Sequence, residues 1–425
     1  MNKNISPVSL LCILTGLNLF NYLDRYVVNA VRTPMAAEFG INYGDSGRLF
    51  TAFMIGYFIT SPFFGYLGDR ISRKALVILG ILIWSIGTVL TGFAQGFAML
   101  LFFRVLVGIG EASYATLAPG LISDTWRPDK RNNALTIFYV AIPVGAAIGY
   151  IMGGAIAANW GWRYAFFWAG APGLLLALVL LPFREPKRGE ADADNGKGLT
   201  KPGLKDIFKL FRNGDFNLIV WGYVAYTFAL GGFAFWGPTF LEEVHRLSTE
   251  KADHFFGAVI IVAGLVGTLL GGFAATLWHK RNPAGYAWLL FGSVFLAVPL
   301  SFFALLSSNT VLAMGLLAAS IFLLFLCTGP VNTLILEAVP VNLRSSAMAI
   351  SIFMIHLFGD MWSPEIIGRV ADHMGKDLQK ASLILPGVLL MAAFFWLVLA
   401  LKTVRTHGGK MPVNQEGALI ENEIK

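Results

Sequence analysis

The sequence is poor in charged residues for its length. Asp, Glu, Lys and Arg make up 13% of its 425 residues, whereas soluble domains usually carry about 25%. Hydrophobic residues make up 56%, and the mean hydropathy is +0.66. This composition argues against a soluble protein. It indicates a chain that crosses a membrane several times, because each helical span needs about 20 apolar residues.

Cysteine is also scarce, with Cys12 and Cys327 as its two instances. Both lie inside apolar segments, where we expect them to pack as small hydrophobes and to form neither a disulfide nor a metal site. The sequence has no P-loop, no His-Glu-x-x-His and no cysteine-rich cluster. We therefore expect no cofactor, no metal, and no machinery for ATP-driven pumping or metal-dependent hydrolysis.

Long apolar stretches between charged and turn residues predict twelve membrane-spanning helices. The first stretch follows a single lysine, Lys3, and has no small-residue cleavage site, so we expect it to be retained as a span. The predicted spans cover residues 8 to 30, 46 to 68, 75 to 95, 97 to 122, 132 to 158, 162 to 182, 216 to 240, 253 to 278, 284 to 306, 310 to 338, 345 to 370 and 381 to 401.

A polar segment divides these spans into two sets of six. It runs from 184 to 215 and contains eight basic residues, several acids and a stretch too polar to form a core. We predict a first six-helix bundle at 1–183, a cytoplasmic linker at 184–215, a second six-helix bundle at 216–404 and a cytoplasmic tail at 405–425.

The net charge of +7 is explained by membrane topology. With both termini placed in the cytoplasm, the inner loops and tails hold 22 of the 32 Lys and Arg residues and the outer loops hold 8. This bias follows the positive-inside rule, with anionic membrane lipid as the natural neighbour. The chain has no basic stripe of the kind that binds nucleic acid, so we expect no nucleic-acid partner.

The short loop after the second predicted span carries Gly65, Asp69, Arg70, Arg73 and Lys74. A glycine followed four residues later by Asp-Arg, and then by a basic pair, resembles the loop signature of the major facilitator superfamily. In that superfamily the acid pairs with basic groups of the neighbouring bundle and forms a latch that breaks when the inner side opens. The resemblance implies a gating role for these five residues, although any inner loop tends to be basic.

The equivalent loop of the second half keeps a basic pair but has lost the acid. It runs from Gly272 to Arg281, and Thr276-Leu277 stands where Asp-Arg would be. We therefore expect an asymmetric latch. The fifth span adds small residues about every four positions, including Gly145, Gly149 and Gly153. Their spacing predicts a helix face that another helix approaches closely.

Ionisable residues inside the apolar segments are functional candidates, because they are costly in hydrocarbon. Asp24 and Arg25 lie in the first span, and Arg104 and Glu111 lie in the fourth. Arg104 and Glu111 are seven residues apart, so they share a helix face about 10 Å apart along the axis. Asp24 and Arg104 lie at similar depth and are expected to pair, so that protonation of the acid would release the arginine.

The eleventh span carries His356 and Asp360, four residues apart on one helix face. Pro364 follows at the point where we expect the helix to kink. The pattern predicts a hinge with titratable groups beside it. The plainer interpretation of His356 is a hydrogen bond to a neighbouring helix.

Three spans carry a further set of motifs. The strings are Asn21 to Arg25 in the first span, Gly108 to Tyr114 and Ala118 to Asp124 in the fourth, and His356 to Pro364 in the eleventh. Together they resemble the spinster branch of the major facilitator superfamily, whose members move lipids such as sphingosine phosphate or lysophospholipids. The resemblance implies an all-α membrane protein in which twelve transmembrane helices form two pseudo-symmetric six-helix bundles, working as a monomer without enzymatic activity. We expect a bacterial inner-membrane location.

The resemblance also implies roles for the buried charges. Asp24 and Glu111 correspond to proton-responsive groups, and Arg25 and Arg104, with Glu111, to partners or anchors of an anionic head group. The sequence adds the His356 and Asp360 pair as candidate proton-coupling groups. The implied function is proton-linked secondary transport of an amphiphilic lipid anion by alternating access.

One alternative remains open at this stage, and two others fit the sequence poorly. Two basic groups in one cavity would equally serve a small organic anion such as a sugar acid. Gly359-Asp360 resembles part of an intramembrane protease motif, but Leu357 stands where its first glycine belongs, and Asp24 lacks the preceding tyrosine. A passive channel fits poorly with the latch loop and the six-plus-six organisation.

Overall fold

The chain is described here by a computed structural model that covers residues 6–40, 43–192, 203–247, 249–375 and 377–407. Residues 193–202 of the predicted linker and residues 408–425 of the predicted tail lie outside this described part. Within it, the regular elements are all helices.

Twelve long helical segments form two sets of six, as the sequence predicts. The first set is α1 (Pro7–Ala30), α2 (Tyr43–Gly68), α3 (Arg73–Thr91), α4 (Phe97–Thr125), α5 (Pro128–Trp160) and α6 (Trp162–Leu180). The second set begins with α7 (Gly214–Glu243), α8 (Thr249–Val262, a π-helical turn at Ala263–Gly267, then Thr268–His279) and α9 (Gly285–Leu306). It ends with α10 (Thr310–Phe325 and Thr328–Glu337), α11 (Arg344–Ile355, a π-helical turn at His356–Asp360, then Ser363–His373) and α12 (Ile384–His407).

Eleven helices in the described part are long and apolar enough to cross a membrane. The first helix, α1, is not among them, because Asn18, Asn21, Asp24 and Arg25 lower its hydropathy. Its 24 residues nevertheless reach about 36 Å at 1.5 Å per residue, enough for a core of about 30 Å. The polar residues that lower the hydropathy of α1 include Asp24 and Arg25 of the predicted site.

The small residues of α5 allow α1 to approach its backbone. A Cβ atom placed on Gly149 would lie 2.5 Å from the carbonyl oxygen of Leu23, and one on Gly145 would collide with the carbonyl oxygen of Leu19. The predicted close face is thus confirmed, and it packs on the helix segment that carries Asp24.

The two bundles meet where α2 ends and α11 begins, an end of the molecule that we call the latch face. Along this contact α2 and α11 are antiparallel: Tyr57 faces His356, Phe58 faces Phe353, and Gly65 faces Ala349. On the other flank, α5 packs on the second part of α8 and on α10. The later part of α11, Ser363–His373, packs within its own bundle on α7.

Substituting Gly149 by Ala is expected to destabilise the protein by about 1 to 3 kcal/mol, because an extra methyl group overpacks the α1–α5 contact. Gly154→Ala is the matched control, since a Cβ atom there meets no atom within 4 Å and alanine favours the helix. Thermal unfolding in detergent measures both. Equal melting temperatures for the two variants would contradict the packing assigned to Gly149.

Candidate functional site

A buried ion pair between α1 and α4 forms the centre of the first bundle. The Arg25 guanidinium donates to the same Glu111 oxygen, Oε2, from Nη2 at 2.6 Å and from Nε at 3.1 Å. Glu111 is fully buried, whereas 15% of the Arg25 side chain is exposed. The arginine is therefore the member of the pair that an anion is able to reach.

Aromatic rings surround this arginine. Its guanidinium carbon lies 4.7 Å from the ring centroids of Tyr22 and Phe53 and 5.1 Å from that of Tyr57. Arg104 lies 4.8 Å from the same Phe53 ring. Cation–π contacts of this kind hold a guanidinium beside an apolar wall and stabilise it by about 0.5 to 2 kcal/mol.

Asp24 has a partner that the sequence did not predict. Its Oδ2 accepts a short hydrogen bond from the Thr88 hydroxyl of α3, and it forms no ion pair within 4.0 Å of Arg104. Arg104 instead lies over Phe53 and interacts with Asp24 and Glu111 at longer range. The expected Asp24–Arg104 contact is thus absent, because counting residues along a helix fixes depth and not the direction of a side chain.

His356 and Asp360 form a hydrogen-bonded pair in the second bundle, with Nδ1 and Oδ1 2.9 Å apart. They stand at the two ends of the π-helical turn of α11, where Gly359 leaves the helical conformation. The helix restarts at Ser363, with Pro364 in its first turn, so the break lies just before the proline. The His356 ring packs edge-on against Tyr57, at 5.5 Å between centroids.

Tyr57 therefore links the charged groups of the two bundles. It contacts Arg25 of its own bundle and His356 of the other bundle. A displacement of α2 against α11 would change the contact with His356.

The predicted latch residue Asp69 joins the bundles, but its partners are backbone amides. Its carboxylate accepts from the N–H groups of Ser345 at 3.1 Å and Ser346 at 2.8 Å. These amides belong to the first turn of α11, where unpaired N–H groups and the helix dipole favour an anion. Beside it, a Cβ atom on Gly65 would lie 3.0 Å from the Ser345 carbonyl oxygen, which explains the glycine.

The basic residues of the loop act inside the first bundle. Arg70 lies over Tyr66, and Lys74 donates to the carbonyl oxygens of Leu181 and Phe183 after α6. Arg73 pairs with Asp124 at 2.6 Å. Direct contact with the second bundle thus belongs to Gly65 and Asp69, and Arg73 acts through Asp124.

Among the described residues, two ion pairs cross between the bundles at the latch face. Arg344 at the start of α11 pairs with Asp124 at the end of α4, at 2.8 Å. Arg131 near the start of α5 lies 3.9 Å from Glu337 at the end of α10. These four residues were not among the predicted gating residues, although an internal repeat marks them. In each half an acid precedes an arginine by seven positions, and the arginine is followed by two polar residues and an alanine.

On the opposite flank of the latch face, the contact equivalent to that of Asp69 is made by uncharged groups. The Asn132 side chain of α5 donates to the Gly272 carbonyl oxygen at 2.6 Å and to the Thr276 hydroxyl at 2.9 Å. The same Thr276 hydroxyl donates to Asn133 at 2.7 Å. Thr276 stands where the first half has Asp69, so the expected asymmetry takes the form of one charged and one neutral contact.

The linker reaches into this network through Asp192. Its carboxylate accepts from Arg131 at 2.8 Å and from Arg344 at 2.7 Å, which belong to different bundles. Burial opposes ionisation of Asp192, but the hydrogen bonds from Arg344 and Arg131 outweigh it and lower the pKa of this carboxyl. Asp192 therefore stays ionised at physiological pH. In contrast, burial raises the pKa of Asp69, although the hydrogen bonds from Ser345 and Ser346 act in the opposite direction. Asp69 therefore becomes protonated at a higher pH than Asp192.

Comparison with known proteins agrees with this architecture. A family model described as Major Facilitator Superfamily matches residues 14–364. Protein spinster of Drosophila melanogaster is 35% identical over 384 residues, which cover 88% of this chain and 63% of the fly protein, less than two thirds of its length. The Arabidopsis thaliana protein named probable sphingolipid transporter spinster homolog 1 is 31% identical, over 92% of this chain and 87% of the plant protein.

Solved structures show the same fold. A bacterial homolog of the human lysosomal transporter Spinster, inward-facing and unoccupied, matches with a TM-score of 0.67 and 26% identity, over 94% of this chain and 98% of the other. The E. coli fucose:proton symporter matches with a TM-score of 0.74 at 16% identity, over 93% and 99%. Two bundles of long apolar helices define a multi-pass membrane protein. The chain belongs to the Major Facilitator Superfamily and, within it, to the spinster branch.

Asp69→Ala is expected to loosen the latch face, because it removes the acceptor of two amide hydrogen bonds. Hydrogen bonds to a charged group contribute about 1.5 to 3 kcal/mol. The rate at which a thiol reagent labels a cysteine introduced at the buried position Ser346 (Ser346→Cys) should therefore rise about tenfold or more. Cys12 and Cys327 would first be replaced. Arg70→Ala is the control, since Arg70 lies in the same loop but stacks on Tyr66. Unchanged labelling in Asp69→Ala would remove the latch role.

Asp192→Asn is expected to raise labelling of the same reporter, because Arg131 and Arg344 lose the carboxylate that they share. Loss of a charge-assisted contact of about 1.5 kcal/mol corresponds to a roughly tenfold higher labelling rate. Glu190→Gln serves as the control, because its carboxylate accepts the Lys187 amide within the linker. If both variants label alike, Asp192 does not hold the two bundles together.

Proposed function

We propose that this transporter is proton-linked, works by alternating access and moves an amphiphilic anion such as a lysophospholipid or a sphingosine-phosphate-like molecule. The observation that carries the proposal is Arg25, a partly exposed guanidinium held by Glu111 among aromatic rings. A single charged patch beside apolar walls suits a ligand with an anionic head and a hydrocarbon tail. The name of the Arabidopsis relative, a probable sphingolipid transporter, supports the same substrate class.

Glu111 supplies a direct way to couple the anion to a proton. The carboxylate occupies Arg25 when it is ionised. Neutralising it removes the charge that holds the guanidinium, which is then free to pair with a head group. Asp24 acts in the same bundle through its interactions with Glu111 and Arg104, and His356 with Asp360 extends the set across the interface.

The latch supports alternating access. Asp69 and the crosswise pairs of Arg344 and Arg131 hold the bundles together at the latch face. The positive-inside distribution of Lys and Arg puts this face in the cytoplasm, together with both termini. We therefore propose that this conformation is closed toward the cytoplasm, and a bacterial inner-membrane location and a monomeric working state stay predictions.

Asp24→Asn is expected to remove the dependence of transport on an imposed pH gradient in proteoliposomes, because an amide keeps the shape of the carboxyl but exchanges no proton. The protein should remain folded, with an unfolding temperature near that of the parent. Asp206→Asn is the control, since Asp206 pairs with Lys209 in the linker, far from the centre. A full wild-type pH response in Asp24→Asn would refute the coupling role.

The substrate class is tested in the same vesicles with a lysophospholipid, a sphingoid phosphate and a water-soluble organic acid. Saturable lysolipid movement that is lost in Arg25→Ala supports the proposal. Uptake of the organic acid without lysolipid movement would replace it with the small-anion alternative, which the two arginines also serve. Flux that neither saturates nor follows the pH gradient would indicate a pore.

A further inference from the structure

Thr88 occupies an unusual position beside Asp24. Both residues are 1% exposed, and the Thr88 hydroxyl of α3 donates across to Asp24 Oδ2 on α1. The other carboxylate oxygen, Oδ1, is buried and has no hydrogen-bond partner in the described part of the chain. The two oxygens of Asp24 therefore have different surroundings.

Buried threonines in helices usually bond back to a carbonyl oxygen of their own helix. Thr91, one turn after Thr88, does so, donating to Gly87 at 2.8 Å. Thr60 and Thr136 behave alike, donating to Gly56 and Asn132. Thr88 does not make this local bond and donates instead to Asp24 on the neighbouring helix.

The groups that act on Asp24 are few. Glu111 and Arg104 face it from α4, Arg25 lies next to it on α1, and Thr88 faces it from α3. The helices α5 and α6 also pack on α1, and among the described residues they contribute no charged group that acts on Asp24. Thr88 is thus its one neutral hydrogen-bond donor there.

We infer that Thr88 is a positioning residue that holds Oδ2 of Asp24 and leaves Oδ1 as the oxygen that gains and loses the proton. This inference rests on the proposed function, which assigns proton coupling to Asp24. It adds a residue to the site that lies on a third helix and carries no charge. Because α3 contains the contact, movement of α3 against α1 changes the proton affinity of Asp24.

The expected effect follows from the chemistry of the hydrogen bond. A donated hydrogen bond favours the charged carboxylate over the neutral acid. Removing the hydroxyl therefore strengthens proton binding, and the midpoint of Asp24 titration moves to higher pH. A hydrogen bond to a charged group corresponds to about a ten- to hundredfold change in proton affinity, or about one to two pH units.

The experiment compares Thr88→Val, which is nearly isosteric, with Thr88→Ser, which keeps the hydroxyl, and Thr91→Val, which removes a hydroxyl that bonds its own helix. The reconstituted full chain is titrated by infrared spectroscopy, and the C=O band of protonated Asp24 is identified by its loss in Asp24→Asn. The pH midpoint of transport is measured in parallel.

Thr88→Val should move both midpoints to higher pH by one unit or more, while Thr88→Ser and Thr91→Val stay near the parent. A midpoint unchanged in Thr88→Val, or moved equally by Thr91→Val, overturns the positioning role. If Thr88→Val does not fold, Thr88→Ala provides the same comparison.

The two proposals fail in different ways. In one outcome the Asp24 band titrates and transport loses its pH dependence in Asp24→Asn, but Thr88→Val has no effect on either midpoint. This outcome refutes the positioning role of Thr88 and leaves the proposed function intact. Transport in Asp24→Asn that keeps its pH dependence removes the proton role of Asp24 itself, whatever the infrared midpoint of Thr88→Val.

Discussion

An ionised side chain buried away from water is stable only if a partner offsets its lost hydration, and this constraint organises the whole molecule. At the centre, Arg25 pairs with Oε2 of Glu111. At the latch face, each crossing arginine finds its acid on the opposite bundle, as Arg344 does with Asp124. The charges that hold the bundles together are therefore also the charges that become unpaired when the bundles separate.

The antiparallel contact of α2 and α11 connects the centre to the latch. Tyr57 lies on α2 and Asp69 directly follows this helix, while His356 and Ser345 lie on α11, so the two segments are in contact at both levels. Between these levels Gly65 lets the backbones approach. A change in charge around Arg25 thus acts on the same helix pair that closes the latch face.

Sequence reasoning was strongest where the physics is local. Helical length and hydropathy predicted the twelve helices. Residue spacing predicted that His356 and Asp360 share a helix face and that the glycines of α5 form a close-packing face, because helix geometry alone relates such positions. It was weaker across helices. The predicted partner of Asp24 was Arg104, but its hydrogen-bond partner is Thr88. The predicted partners of Asp69 were basic side chains, but it binds backbone amides. These pairings depend on how whole helices are rotated against each other.

The amino-acid sequence by itself determined that the chain lies in a membrane, that it has two six-helix halves, and which charges are buried, since each follows from the cost of placing polar groups in hydrocarbon. Only the tertiary structure decided the pairing of those charges. Asp124 with Arg344, and Asp192 between Arg131 and Arg344, bring together residues far apart in the chain. Such contacts exist only once the two bundles and the linker are packed in three dimensions.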